Sequence, residues 1–210
     1  MKQAVLPLAY LAPVEYFSIL AGCDSVLIEL YDSYHKQTYR NRCRILGANG
    51  PQDLIIPVVK NSGVKTLVKD VEIDYSTRWQ ANHWRSLFSA YNSSPFFEFY
   101  TDEFCLFYEK KWRFLADFNM QFLELICELT GIESKIELTT DFIANYNEIP
   151  DYRFTITPKN IISEQVRDIK FERYHQTFGD KFGFVPNLSI ADLLFNEGPR
   201  SETVIKKANK

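Results

Sequence analysis

The first thirty residues constrain the fold more than any other part of the chain, because they predict a strand, a helix and a second strand in succession. Residues 4–11 form a short apolar run, which is typical of a buried strand. Pro13 suits the first turn of a helix over residues 14–21, and Gly22 suits its end. Residues 25–30 are a compact apolar run that predicts an internal strand. This order favours two parallel strands joined through the helix, a βαβ unit.

A β-hairpin and two further strands are predicted after this unit. Residues 42–46 and 54–59 suit the two arms of the hairpin, because residues 47–51 between them are dense in turn formers. Residues 64–74 predict another strand, since apolar and acidic residues alternate at its end. Residues 152–157 predict a short strand near the C-terminal part.

The middle of the chain predicts three helices with aromatic faces. The first covers residues 77–91, in which four apolar residues recur at helical spacing. These four are Trp84, Leu87, Phe88 and Tyr91. A second helical stretch starts at an aromatic cluster and runs to Lys110. The third covers residues 112–129, has a wide apolar face and ends at Gly131.

A short helix is predicted near the C-terminus. Ser189 with Asp192 resembles a capping box, in which the serine hydroxyl caps the helix and the aspartate carboxylate reaches back. Gly198 followed by Pro199 predicts the end of this helix.

The predicted fold class is therefore α/β: a small mixed β-sheet with an N-terminal strand–helix–strand unit and a hairpin, covered by aromatic-rich helices. The length suits one domain over residues 1–210. With 17 Phe, 12 Tyr and 3 Trp, aromatic side chains suffice to line a ligand cleft as well as a core.

Charge and hydropathy exclude two classes of partner. A net charge of −3 argues against nucleic-acid binding, since such proteins carry an excess of Lys and Arg. No run approaches the ~18 apolar residues that a membrane span needs, and the N-terminus lacks the apolar core of a signal peptide. The expected location is the cytoplasm, with the four cysteines as reduced thiols.

No metal or cofactor is predicted. The cysteines form no CxxC pair, and no histidine stands at a metal-ligand spacing from them. The chain has no GxGxxG, no phosphate-binding loop, no GxSxG nucleophile and no HExxH.

Three arginines form the main candidate site for a negatively charged ligand. Arg40, Arg42 and Arg44 are two apart, so in an extended segment they point to one face. Arginine forks match phosphate or carboxylate oxygens. Lys36 and Asn41 could extend this site, although Asn41 faces away in a regular strand. The alternative is a solvated face of an edge strand, paired with nearby acids.

Two histidines are candidates for acid–base chemistry. His83 lies one residue before the apolar stripe of its helix, and an amide-forming acyl transfer needs a base for the amine. The alternative for His83 is a structural histidine with one hydrogen bond. His35 is a weaker candidate in the tyrosine-rich polar stretch before the arginines.

Four more residues are candidates for substrate binding. Asn119 interrupts the apolar face of its helix, and Tyr10 lies at the end of the first predicted strand, where ligands sit in open α/β sheets. Asn187 and Glu197 flank the short C-terminal helix. The alternatives are a backbone hydrogen bond for Asn119, a turn-shaping role for Asn187 and a solvated carboxylate for Glu197.

Several blocks of sequence follow one another in the order found in the WbqC-like protein family, which the chain resembles over residues 5–200. The blocks lie at 10–17 (YLAPVEYF), 36–43 (KQTYRNRC), 48–50 (ANG), 70–74 (DVEID), 79–85 (WQANHWR), 94–97 (SPFF), 184–190 (FVPNLSI) and 192–199 (DLLFNEGP). Many family members carry Gln-Pro where this chain has Leu6-Pro7. That departure predicts altered ligand contacts if the glutamine binds a ligand in its relatives.

The resemblance implies a role in O-antigen or related bacterial surface-polysaccharide synthesis. The leading hypothesis is a transferase that moves an acyl or aminoacyl group to an amino sugar or nucleotide sugar. The alternative is a non-catalytic protein that recruits an enzyme of the pathway, with aromatic patches as its partner surface. A homo-oligomer with a cleft between subunits is a third possibility.

Overall fold

The computed structural model describes residues 2–59, 65–159 and 172–208. Its N-terminal part is the predicted βαβ unit of strand β1 (Gln3–Pro7), helix α1 (Val14–Ala21) and strand β2 (Ser25–Glu29). The two strands are parallel over their whole length. Pro13 precedes the helix and Gly22 follows it, as the sequence predicts. β1 ends earlier than predicted, at Pro7, whose ring nitrogen has no hydrogen to donate to a ladder.

The predicted hairpin is present with a different register. Strands β3 (Arg42–Gly47) and β4 (Gly50–Ile55) pair antiparallel around the residues Ala48 and Asn49. Gly50 has φ +108°, a conformation that suits glycine at the end of a tight hairpin loop. The second arm thus starts four residues earlier than predicted, which places Asp53 opposite Arg44.

The strand predicted at residues 64–74 is wrong for residues 65–74, which form no strand. Residue 64 lies outside the described part, and residues 68–70 form a single 3-10 turn. Only isolated bridges join this segment to its neighbours, such as the one between Val58 and Ile73. Val71 and Ile73 are nevertheless buried, as the alternation predicts.

Three helices follow, close to their predicted bounds: α2 (Trp79–Tyr91), α3 (Phe97–Glu109) and α4 (Leu115–Thr130). Gly131 ends α4 in the left-handed conformation, with φ +63°. The buried face of α2 differs from the prediction, because Phe88 is 49% exposed while His83 is buried.

The sheet gains a strand that the sequence pattern did not predict. Strand β5 (Lys135–Leu138) pairs parallel with β2, so the sheet has the order β1–β2–β5. The strand predicted at 152–157 is wrong. The chain there makes only a bridge to β1, in which the N–H of Tyr152 donates to the carbonyl of Val5 over 2.9 Å, and then turns.

The C-terminal part contains helices α5 (Gly179–Phe182), α6 (Ile190–Glu197) and α7 (Ser201–Lys207). Ser189 caps α6, since its hydroxyl oxygen accepts from the N–H of Ala191 over 3.3 Å. The predicted capping box is wrong for Asp192, whose carboxylate bonds to other side chains.

The Asp192 carboxylate does not reach back to the helix start but anchors α6 to the rest of the molecule. It accepts hydrogen bonds from the hydroxyls of Tyr91 and Tyr174, over 2.9 and 2.7 Å, and from the side-chain amide of Gln176 over 3.0 Å. Burial raises the pKa of Asp192 to about 6, against these hydrogen bonds, which lower it.

The predicted α/β fold class is confirmed, with its strands divided between a three-stranded parallel sheet and the separate two-stranded hairpin. Buried residues from β1–β4, α1–α4, α6 and α7 form one hydrophobic cluster in which α3 and α4 contribute many rings. Phe107 stacks on Phe122 with ring centroids 3.8 Å apart. The four cysteines are free thiols. In the described part of the chain, no helix combines the length and the apolar character needed to cross a bilayer.

Gly198 provides a test of the packing between α6 and α3. Its φ is +55° and ψ −125°, and a Cβ built there would lie 2.4 Å from the Phe96 ring. Gly131 also has a positive φ, but its Cβ would meet only the end of the flexible Glu202 side chain at 3.5 Å. We expect Gly198→Ala to lower the free energy of unfolding by about 3 kcal/mol or more. Gly131→Ala should cost only about 1–2 kcal/mol.

Chemical denaturation of both variants measures this difference. Equal costs for the two substitutions would contradict the close contact between Gly198 and Phe96.

Candidate functional site

A cleft of about 350 Å³ lies beside the end of the hairpin that is remote from its turn. Its walls come from residues 55–58 at and after the end of β4, and from two other groups of residues: Tyr34, Lys36, Gln37, Asn41 and Arg42, and Asp74, Ser76 and Thr77. Three of the residues predicted to bind an anion line it: Lys36, Asn41 and Arg42. The volume lies within the range of small-molecule sites, which is about 300–1,000 Å³. We call it the Arg42 cleft.

Arg42 and Arg44 lie on one side of β3, as the two-residue spacing predicts, and both reach Asp53 on β4. The Nε of Arg44 donates to Asp53 Oδ1 over 2.7 Å, while Arg42 Nη1 is 3.5 Å from Asp53 Oδ2. One carboxylate therefore serves two guanidinium groups, which leaves an excess of one positive charge at this end of the hairpin. Such an excess attracts an anion.

Arg40 does not share this face, so the predicted row of three arginines is wrong. Its side chain is 3% exposed, and its Nη2 donates to Asp32 Oδ2 over 2.9 Å. It precedes β3, where the regular alternation of strand side chains does not apply. Burial lowers the pKa of Arg40, and the Asp32 carboxylate opposes that shift.

Asn119 fixes the backbone beside this ion pair. Its Nδ2 donates to the carbonyl of Arg40 over 2.7 Å, from a side chain that is 1% exposed on α4. This is the backbone hydrogen bond that was the alternative to a ligand contact. Asn119 lies outside the lining of the Arg42 cleft but supports the segment that forms one wall.

Two polar atoms of the cleft wall are buried without a hydrogen-bond partner among the described residues: Oδ1 of Asn41 and Nε of Arg42. The other end of the Asn41 amide donates to the carbonyl of Ile56 over 2.8 Å. An unpaired buried polar group costs about 1–3 kcal/mol, so native proteins normally satisfy such groups with protein, water or ligand. A donor and an acceptor on adjacent residues of the cleft wall are thus left unpaired.

Tyr34 contributes a phenol to the same cleft. Burial raises its pKa to about 12, and the positive charges of Arg40 and Arg42 oppose the rise. The group is therefore a neutral hydroxyl at physiological pH, able to donate a hydrogen bond to a ligand.

His35 lies between two residues of the cleft wall, Tyr34 and Lys36. Its side chain is 53% exposed, and its Nε2 is 3.7 Å from Asp32 Oδ1. Its ring also meets the edge of the Phe154 ring, with centroids 5.9 Å apart. An exposed imidazole beside a buried carboxylate has the elements of an acid–base pair.

His83 is buried in a hydrogen-bonded chain instead of facing the cleft. Its Nε2 is 3.2 Å from the carbonyl of Ile55, which can only accept, so Nε2 carries the proton. Its Nδ1 must then accept from the hydroxyl of Tyr10, 3.1 Å away. The Tyr10 oxygen in turn accepts from the hydroxyl of Tyr108 over 2.7 Å.

This chain uses both nitrogens of His83, so neither has a lone pair available for a substrate. Burial lowers its pKa to about 4, which keeps the ring neutral at physiological pH. His83 does not line the Arg42 cleft, so the structure does not bring the predicted general base together with the arginines. Tyr10 is fully buried as well, so its predicted role as a substrate-binding residue does not fit this structure.

Asn187 and Glu197 hold elements in place near α6. Asn187 Oδ1 accepts from the N–H of Glu15 in the first turn of α1 over 2.9 Å, and φ at Asn187 is +55°. Glu197 accepts from the N–H of His175 over 3.1 Å and pairs with Arg200 at 3.2 Å. Neither lines the Arg42 cleft.

Asp32 and Asp53 are the residues of this region that the sequence reasoning missed. Asp53 had a usable signal, because a two-residue loop at Ala48 and Asn49 places it directly opposite Arg44. Asp32 had none, since it meets Arg40 through a loop. Among the described residues, no group of three or more His, Cys, Asp or Glu could hold a metal ion.

Comparisons with known proteins agree with the resemblance seen in the sequence. A sequence model described as the WbqC-like protein family matches residues 9–159. A protein of Mycobacterium tuberculosis (strain ATCC 25618 / H37Rv), named "Uncharacterized protein Rv1507c", is 27% identical over 229 aligned positions. The match covers 98% of this chain and 97% of that protein. No solved structure matches significantly.

The low pKa of His83 predicts a pH dependence of stability. In the unfolded chain the His83 imidazole has a pKa of about 6.5, whereas in the folded protein it becomes protonated only near pH 4. Stability from His83 is therefore complete above pH 6.5 and is lost as the pH falls toward 4, by about 3 kcal/mol in all.

Asp192, with a pKa of about 6, also titrates in this pH range, but it does so equally in wild type and in His83→Gln. The difference in unfolding free energy between the two proteins therefore measures the contribution of His83. This difference should shrink as the pH falls from 7 to 4.5. Parallel pH profiles, or an imidazole pKa near 6.5 by NMR, would contradict the buried hydrogen-bonded chain.

Proposed function

The chain belongs to the WbqC-like protein family, and from this premise we propose that it is a transferase acting on an amino-sugar or nucleotide-sugar intermediate of bacterial surface-polysaccharide synthesis. The transferred group is an acyl or aminoacyl group. The observation that carries the proposal is the Arg42 cleft, in which unpaired buried polar atoms adjoin an excess positive charge. A phosphate-bearing sugar offers both the negative charge and the hydroxyls that such a surface binds.

The cleft wall suits two parts of such a ligand. Lys36 and Arg42 present positive charge toward the phosphate. The amide oxygen of Asn41, the phenol of Tyr34 and the carboxylate of Asp74 offer hydrogen-bond partners for sugar hydroxyls or an amine. The hydrogen-bond acceptors of the cleft wall give specificity for an amino sugar, and the positive charges of Lys36 and Arg42 give affinity for its phosphate.

His35 is the candidate base in this proposal. Amide formation requires a proton to leave the attacking amine while the acyl group separates from its activated donor. We assign the proton to the imidazole of His35, whose chain neighbours Tyr34 and Lys36 line the cleft. The Asp32 carboxylate, 3.7 Å from His35 Nε2, stabilises the imidazolium that forms. Because Asp32 also accepts from Arg40, its position is fixed by a buried ion pair.

A specific observation favours the alternative of a non-catalytic recruiting protein. Phe99 is 72% exposed and Leu106 is 63% exposed, and they lie two turns apart on α3. Exposed apolar side chains aligned on one helix suit a partner surface. Capture of a glycan-pathway enzyme that Leu106→Glu abolishes, together with no turnover of any substrate offered, would favour this function.

Ligand binding at the Arg42 cleft tests the proposal. Calorimetric titration with nucleotide-linked amino sugars should give saturable binding that Arg42→Ala weakens about tenfold or more, because charge-assisted hydrogen bonds contribute about 1.5–3 kcal/mol. Arg42→Lys keeps the positive charge but loses the paired donors of the guanidinium, so its affinity should lie between those of wild type and Arg42→Ala.

Lys206→Ala is the control, since it removes one positive charge from α7, and should change the affinity less than about twofold. Mass spectrometry after incubation with activated acyl donors then detects transfer. Binding that is unchanged in Arg42→Ala would contradict the assignment of this cleft.

A further inference from the structure

A second and larger cleft lies at the turn end of the hairpin, and strand β3, which leads to it from the Arg42 cleft, is about 17 Å long, with five residue steps of about 3.4 Å each. Its volume is about 500 Å³. One wall is the hairpin segment 47–52, and the other is the outer face of α2 with Arg85, Ser86 and Ser89. We call it the Arg85 cleft.

Arg85 is the distinctive residue of this cleft. Helix α2 contains no acidic residue, so Arg85 has no carboxylate three or four positions away on its own helix. It makes no hydrogen bond or ion pair with any residue in the described part of the chain. The arginines of the hairpin, by contrast, share Asp53. The donors of the Arg85 guanidinium are thus unused within residues 2–59, 65–159 and 172–208.

The surroundings of Arg85 are polar and carry no negative charge. None of the described residues that line the cleft is acidic. Ser89 lies one helical turn after Arg85, on the same face. The Ser86 hydroxyl accepts from the amide of Gln52 over 3.3 Å, which leaves its own proton to donate.

A second cation stands near the cleft. Lys181 donates to the carbonyl of Ala48 over 2.7 Å, and Ala48 is part of the cleft wall. The hairpin turn is therefore flanked by two positive charges, one from α2 and one from α5. This excess favours a ligand group that carries more than one negative charge.

We propose that the Arg85 cleft is a second ligand site, which binds the phosphate group of a small molecule. Arg85 holds two phosphate oxygens with its fork, and the hydroxyls of Ser86 and Ser89 donate to the remaining oxygens. The side chains of Asn49 and Gln52 lie on the opposite wall, where they meet the rest of the ligand. The site is independent of the Arg42 cleft, so it stands whether or not the proposed transferase activity does.

Residue-resolved NMR with inorganic phosphate as the probe tests this site. The backbone amides of Asn49, Ser86 and Ser89 and the Arg85 Nε–H should show saturable shifts. Arg85→Ala should weaken this binding about tenfold or more, whereas Arg42→Ala should leave it unchanged. Ser89→Asp, which puts a carboxylate into the cleft, should abolish the shifts without altering the fold.

Arg78→Ala is the matched control, because Arg78 is the N-cap residue of the same helix, about two turns before Arg85, and carries the same charge. An equal loss in Arg78→Ala and Arg85→Ala would show attraction to surface charge in general and overturn the site. A carboxylate probe, acetate, should bind more weakly than phosphate. Stronger binding of acetate, or no saturable shift at these residues with phosphate, would overturn the assignment of a phosphate site.

Discussion

The buried hydrogen-bonded chain from Tyr108 through Tyr10 and His83 to the carbonyl of Ile55 is the interaction on which the rest of the structure depends. It joins four segments: α3, the loop after β1, α2 and the end of β4. Ile55 pairs with Arg42 in the hairpin register, so fixing its carbonyl fixes the end of the hairpin where the Arg42 cleft lies. Removal of one member would leave its neighbour unsatisfied in a nonpolar interior, at a cost of about 1–3 kcal/mol.

The distribution of carboxylates separates structural arginines from available ones. Arg153 is fully buried and is held by two carboxylates, those of Glu29 and Asp151, at 2.8 and 2.6 Å. Arg42 and Arg44 share Asp53 between them. Arg153 thus has two carboxylates to itself, whereas Arg42 and Arg44 have one between them. More positive charge is therefore left for a ligand at Arg42 and Arg44 than at Arg153.

The local patterns of the chain predicted much of the fold. The alternation of short apolar runs with Pro13 and Gly22 located the βαβ unit, and aromatic periodicity located three helices. Strand β5 escaped prediction because its four residues, Lys135–Leu138, are half exposed at a sheet edge and carry little apolar signal. Its identity as a strand comes from pairing with β2, which is a long-range contact.

The candidate site was predictable only where side chains act within one regular strand. The shared face of Arg42 and Arg44 followed from the two-residue period, but Arg40 lies before the strand and meets Asp32 through a loop. The role of His83 depended on which face of α2 is buried, and that face is set by packing on α3 and the hairpin.

A crystal structure of the protein with a nucleotide-linked amino sugar tests the central claim most directly. The account predicts phosphate oxygens within hydrogen-bonding distance of the Arg42 guanidinium, while His83 keeps its hydrogen bonds to Tyr10 and to the carbonyl of Ile55. A sugar that contacts His83 after displacing Tyr10, or a diphosphate that lies away from Arg42, would contradict it.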